Sequence, residues 1–336
     1  MIRRLILTIF SLLTLATSLG AQGKGPMGGM GGQGMHGMGT LPAEIRSDAN
    51  ALTDAKIDLG RMLFFDPRLS KAGDVSCNSC HDLANYGVDG KPVSSGHRGQ
   101  LGNRNSPTVY HAAGHVAQFW DGRATDVEEQ AKGPVLNPVE MAMASGDEVA
   151  ARLRAIPSYV QAFQRAFPGT TEAVTFDHMA MAIAAFERKL VTPSRWDRFL
   201  QGDRNALSAE EMQGHHEFMH SGCVNCHNGP YLGGRQFQKL GAEKPWPSAA
   251  DPGRVNVTKS PVDRMVFKVP SLRNVEKTGP YFHNGQVATL EDAVGLMGEY
   301  QLGTKLQPAQ VRSIVAWLKT LTGELPRDYI KRPQLP

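Results

Sequence analysis

Two five-residue runs constrain this chain more than anything else in it: Cys77-Asn78-Ser79-Cys80-His81 and Cys223-Val224-Asn225-Cys226-His227. Together they use all four cysteines of the 336 residues, so none is left over for a disulfide framework. In C-x-x-C-H the two thiols add across the vinyl groups of haem and the adjacent histidine reaches the iron, which requires all three side chains on one helical turn. The rival chemistries fit less well. A thioredoxin-like pair needs a βαβ context that the sequence does not offer, and a zinc site built from two distant C-x-x-C units would leave both histidines unexplained. A disulfide inside each run would be strained and would not call for histidine twice. Cys77, Cys80, Cys223 and Cys226 are therefore expected to carry two covalently bound c-type haems, with His81 and His227 as proximal iron ligands.

The runs stand 146 positions apart, one in each half, which turns a length suited to two domains into an expectation of one haem per domain. We expect a mostly α-helical protein of two cytochrome c-like haem domains packed against each other with long ordered loops. Residues 46–200 form the first domain and 201–336 the second. Apolar residues at three- and four-residue spacing predict helices over 49–65, 148–167, 176–190, 209–220, 289–301 and 308–321. Ser208 with Glu211 makes a capping box, and Thr289 with Asp292 resembles one. Long Gly/Pro/Asn-rich connections at 84–117 and 228–286 need something besides secondary structure to order them, and a large buried cofactor would serve.

Arg3 and Arg4, the apolar run from Leu5 to Leu15 and the small residues Ser18, Gly20 and Ala21 read as a signal peptide over 1–20, too short to span a membrane. Periplasmic export follows, with no stable membrane insertion after cleavage. Residues 21–45 read as a Gly/Met-rich flexible leader. Its Met27, Met30, Met35, Met38 and His36 could hold Cu(I), although Met-Gly repeats need no metal to exist. The formal charge of +4 is small for the length and gives no case for nucleic-acid binding.

Each iron needs a sixth ligand or an open face. His178, His215, His216 and His220 lie on predicted helices and read as surface or packing residues. His111 and His115 lie near the expected haem pocket, where a haem propionate or a backbone partner is at least as suitable as iron. Met141, Met143, Met179 and Met181 default to core.

Several further runs resemble the bacterial di-haem cytochrome c peroxidases. They are Gly102-Asn103-Arg104-Asn105-Ser106-Pro107-Thr108, Gln118-Phe119-Trp120-Asp121-Gly122-Arg123-Ala124, Glu128-Glu129-Gln130-Ala131 and Asn137-Pro138-Val139-Glu140-Met141. In the second half the match is Val269-Pro270-Ser271-Leu272-Arg273-Asn274-Val275, followed by Thr278-Gly279-Pro280-Tyr281-Phe282-His283-Asn284-Gly285. The resemblance spans about residues 50–325. It implies reduction of hydrogen peroxide to water at the first haem, with two electrons delivered through the second by a small cytochrome c or cupredoxin. It implies that His97 caps the first iron at rest, on a loop whose Gly96, Gly99 and Gly102 ease movement. Met297 would be the axial ligand of the second iron. Glu140 would be the acid–base residue, Gln130 its polar neighbour and Trp120 the aromatic between the haems. It further implies calcium held by the Asn105 side chain and the carbonyls of Thr278 and Pro280, and a possible homodimer. Two alternatives remain beside it: a di-haem oxidase that modifies a protein or small molecule, disfavoured by methionine rather than tyrosine at 297, and a non-catalytic electron carrier, disfavoured by Glu140 and Gln130.

Overall fold

The computed structural model describes residues 37–336. The expected signal peptide and the leader residues Met27, Met30, Met35 and His36 lie outside the described residues. The architecture is mostly helical, as expected. In chain order the helices of the first half are α1 (Asp54–Phe64), α2 (Cys77–Cys80), α3 (Val127–Leu136), α4 (Gly146–Arg154), α5 (Pro157–Ala166) and α6 (Phe176–Glu187). There follow α7 (Arg195–Leu200), α8 (Ala209–His220), α9 (Val255–Thr258), α10 (Leu290–Leu296) and α11 (Pro308–Lys319). Two short strands, β1 (Phe237–Lys239) and β2 (Val266–Lys268), pair antiparallel within the long second-half loop.

Local chemistry explains where helices start and stop. Ser208 caps α8 by accepting from the Glu211 amide, while the Glu211 carboxylate accepts from the Ser208 amide, so the expected span holds at both ends. Thr289 caps α10 in the same sense. The expected single helix over 148–167 is two, because Pro157 holds Ile156 in an extended conformation (φ −111°, ψ 103°) and opens α5 as its first residue. Helix α3 has no counterpart among the expected helices; Pro134 sits inside it and hides it from a periodicity argument.

Two apolar clusters form the core. One gathers α1, α4, α5 and α6 around Leu59, Phe64, Phe163 and Phe186, with Cys77 at its edge. The other gathers Trp196 and Phe199 of α7, Phe218 of α8 and Trp317 of α11, with Cys223 at its edge. Each is built on one close helix crossing. A Cβ placed on Gly60 of α1 would fall 1.8 Å from the Ala182 carbonyl oxygen of α6, and one on Gly214 of α8 would fall 1.8 Å from the Ser313 oxygen of α11. Glycine is required at both because only a bare Cα lets the backbones approach this far.

The long loops order one another. Val116 donates its amide to Gly234 at 2.7 Å, Lys268 to Trp120 at 2.8 Å and Asn105 to His283 at 2.8 Å, so segments from the two halves share a backbone hydrogen-bond network. Met38, placed by sequence in the flexible leader, is buried in the second cluster, and the amides of Leu41 and Ile45 bond Asp197 and Arg188. At the other end Ile330 joins the first cluster, where the Tyr329 hydroxyl donates to the Phe186 carbonyl at 2.7 Å.

Candidate functional site

Both C-x-x-C-H runs close as tight turns: the amides of His81 and His227 donate to Cys77 and Cys223 carbonyls, each at 3.0 Å. The Nδ1 of His81 faces the Gly87 carbonyl at 3.4 Å and that of His227 faces the Leu232 carbonyl at 3.2 Å. A carbonyl partner fixes the proton on Nδ1 and leaves Nε2 as the free lone pair, the arrangement of an iron-ligating imidazole. Burial lowers the pKa of both rings, that of His227 to about 4, and so keeps them neutral. All four thiols are unpaired, and burial pushes Cys77 up to about 12 and Cys223 to about 11. A thiol held neutral in this way is a poor redox nucleophile.

The first run opens on a cavity lined by both halves. Cys77, Cys80, His81, Trp120, Gln130 and Glu140 come from the first half; Lys268, Thr278 and Pro280 come from the second, and Asn105 also lines it. The fit of a haem can be judged here from Lys268. Its side chain is buried, its ammonium has His115 Nδ1 at 3.2 Å as hydrogen-bond partner, and no carboxylate pairs with it among the described residues. Burial pulls its pKa down to about 8. A buried cation without an anion is costly, and the carboxylates of a haem would supply the missing partner. Apolar walls from Phe64, Val75, Ile183 and Leu272 suit the macrocycle. The residues present therefore fit the group.

Glu140 stands in a turn, its Oε1 accepting from Asn137 Nδ2 at 2.9 Å; burial raises its pKa, opposed by the Arg123 charge and by Asn137. The indole of Trp120 donates to the Asn105 carbonyl at 2.9 Å and meets the His283 ring edge to face. Asn105 Nδ2 donates to the Lys91 carbonyl, so its Oδ1 is the atom left for a cation. His97 is buried, with no partner for Nδ1, and Gly96 rather than His97 itself lines the cavity. The loop is pinned: the His97 amide donates to the Val139 and Glu140 carbonyls, and Gly96 and Gly102 close it to Gln100 and Ser94. Of the three glycines, Gly96 is demanded by close approach, since a Cβ there would lie 2.2 Å from the Val139 oxygen, and Gly99 by its φ of +74°. Met297 begins a single π-turn, Met297–Gln301, directly after α10, and is not in this cavity.

The other histidines divide. His111 is buried, its Nε2 accepting from the Thr192 amide at 3.0 Å, and burial depresses its pKa to about 3. His115 faces the cavity beside Lys268. His178 stacks on Phe167 and His215 packs between Trp196 and Trp317, while His216 and His220 are exposed. Met141, Met143 and Met179 are buried in the first cluster and Met181 packs against it, as core methionines should.

Sequence reasoning did not single out four residues. Phe119, with φ +65°, lines the cavity under the Arg123 guanidinium, 3.5 Å from its ring centre. Arg104 bridges Asp121 of the first half and Asp251 of the second at 2.6 Å each. Lys268 is the fourth. Phe119, Arg123 and Arg104 lie inside the runs quoted above and Lys268 immediately precedes one; the Phe119–Arg123 contact is local, but the pairings of Arg104 with Asp251 and of Lys268 with His115 are long-range and leave no local signal.

A mostly helical protein with a proximal-type histidine in each half, and a carboxyl group lining the same cavity as one of them, is of the di-haem oxidoreductase class. Comparison with known proteins narrows the class. Residues 54–205 match the family model described as di-haem cytochrome c peroxidase. The chain is 52% identical over 285 residues to the cytochrome c551 peroxidase of Nitrosomonas europaea, covering 83% of each. It is 49% identical to that of Pseudomonas aeruginosa, covering 85% of this chain and 83% of the relative. Among solved structures, a MauG-like protein associated with microbial copper homeostasis superposes with TM-score 0.78 at 30% identity, over 87% of this chain and 97% of that one. The chain belongs to the di-haem cytochrome c peroxidase family, and it is a peroxidase.

Proposed function

We propose that Cys77, Cys80 and His81 hold the haem at which hydrogen peroxide is reduced, and that Cys223, Cys226 and His227, with Met297 as sixth ligand, hold the haem that receives electrons. When bound, the haems supply the redox chemistry: peroxide takes up two electrons and two protons and leaves as two waters. The chain supplies binding, orientation and proton movement. Glu140 takes the proton from the near peroxide oxygen and returns it to the far one, and Gln130 orients the substrate by hydrogen bonding. Trp120, in the loop network between the halves, packs the path between the two sites.

The observation that carries this reading is that Glu140 and Gln130 line the same cavity as Cys77, Cys80 and His81, with the carboxyl group raised by burial towards the range useful to an acid–base residue. His97 is the resting ligand of the first iron in this reading; its loop borders the cavity at Gly96 and is anchored by the His97 amide on the Val139 and Glu140 carbonyls. Calcium joins the halves through the Asn105 side chain and the Thr278 and Pro280 carbonyls, all hard oxygen donors that border the same cavity. The electron donor is a small cytochrome c or cupredoxin, and the compartment is the periplasm. No described helix is long and apolar enough to cross a membrane. Oxidation of another substrate is the second reading, disfavoured by methionine rather than tyrosine at 297.

Steady-state peroxide consumption with a reduced donor tests the assignment: Glu140→Gln should lose turnover while keeping both haems. Full turnover in that variant would remove Glu140 from the role. A resting, oxidised His97→Gly protein whose first-haem spin state matches the unmodified protein would remove His97 from the role of resting ligand.

A further inference from the structure

Helix α8 carries a feature that peroxide reduction does not use. His216-Glu217-Phe218-Met219-His220 has the order H-E-x-x-H, which on a helix sets two imidazoles one turn apart on the same face, the spacing of a bidentate metal site. Both histidines are exposed, and their rings face each other with centroids 3.8 Å apart and planes 24° from parallel. His220 Nδ1 lies 2.8 Å from the His216 carbonyl, so that nitrogen carries the proton and Nε2 keeps the lone pair. The pair occupies the last turn of α8, where the negative end of the helix dipole favours a positive charge.

We infer that His216 and His220 form a surface site for a divalent transition metal, with Cu(II) the tightest occupant and Zn(II) a weaker one. Imidazole suits both ions, and copper leads the affinity order at nitrogen sites. The sequence order is shared with zinc peptidases, but the hydrolytic machinery is not built here. The Glu217 carboxylate is held by Gln213 at 2.7 Å and Gln310 at 3.0 Å, and among the described residues no third His, Cys, Asp or Glu completes a metal cluster. Water fills the remaining positions, so the site binds and releases metal reversibly. It lies three residues before Cys223, on the helix that leads into the second C-x-x-C-H run.

The test is titration of the full-length haem-loaded protein with Cu(II), followed by electron paramagnetic resonance and by competition with Zn(II). The expected result is one saturable equivalent whose copper signal shows coupling to two imidazole nitrogens and is displaced by zinc. His216→Gln and His220→Gln should each weaken binding tenfold or more and leave one-nitrogen coupling; the double change should abolish the signal. Both side chains are exposed, so unchanged haem content and turnover verify that the variants are folded. Two-nitrogen binding that persists in the double variant, or that disappears instead with His36→Ala in the leader, would overturn the assignment, as would the absence of any saturable equivalent.

Discussion

At the first helix crossing, Gly60 of α1 presses on Ala182 of α6 and Phe186 follows one turn later. At the second, Gly214 of α8 presses on Ser313 of α11 and Trp317 follows at the same interval. The Cβ that either glycine lacks would meet the same set of atoms at the same distances: 1.8 Å from a carbonyl oxygen, 2.5 Å from its carbon and 3.0 Å from the aromatic Cβ. One position beyond the aromatic, the halves part. The first has Glu187, a buried carboxyl group facing the cavity, and the second has Leu318, plain core. One scaffold thus serves two tasks. The half assigned to chemistry admits titratable groups to its interior, among them Glu187 and Glu140, and the half assigned to electron transfer keeps its crossing apolar.

The sharpest way to break that contrast is through proton handling. Glu140→Gln should lower kcat for peroxide by about 10²- to 10⁴-fold, the usual range for loss of a general acid–base group, with haem content unchanged by pyridine haemochrome. A loss of only a few-fold would make the two halves chemically equivalent. Next in size are the crossings. Gly60→Ala and Gly214→Ala each force backbones apart and should cost about 3 kcal/mol or more, at the upper end for overpacking, measured by denaturant unfolding. Equal costs support the shared scaffold; an unchanged midpoint in either variant would dissolve it.

Burial, with the Glu128 charge in a lesser role, raises the Glu187 pKa from its ordinary 4.5 to about 8. Between those values the native state holds a proton that the unfolded chain has lost. The stability associated with the neutral acid is therefore fully present below pH 4.5 and declines as pH rises through 8, by roughly 3 kcal/mol at pH 7. Glu187→Gln should flatten this slope in unfolding measurements from pH 5 to 8, and Leu318→Glu should create one in the second half. The smallest effect is electrostatic. Lys268→Met removes a buried positive charge from the shared cavity and should lower the reduction potential of the first haem by about 59 mV, a tenfold change in the one-electron equilibrium, with Lys268→Arg close to unchanged. Equal shifts at both haems in a redox titration would show that Lys268 does not distinguish the halves.

What could be read in the sequence was local. Two C-x-x-C-H runs announced both haem sites, and Ser208 with Glu211 set the span of α8, because each signal lies within a few residues. Helix α3, which carries Gln130, was hidden by Pro134, and the break before α5 was present in Pro157 but masked by apolar spacing on either side. Gly60 and Gly214 carry no signal of their own in the sequence, since only the partner helix reveals the close approach that requires them. The pairing of Lys268 with His115 and the Arg104 bridge join residues more than a hundred positions apart, where no periodicity reaches. The roles of Glu140, Trp120 and Met297 came from resemblance, not from spacing.

The return of Tyr329 and Ile330 to the first cluster makes each core a joint product of the whole chain. The first is completed by residues more than 250 positions beyond Cys77, and the second by Met38 and Trp196, which precede its own C-x-x-C-H run. Neither half is therefore a self-contained folding unit: a chain cut between them leaves an apolar face open on each side.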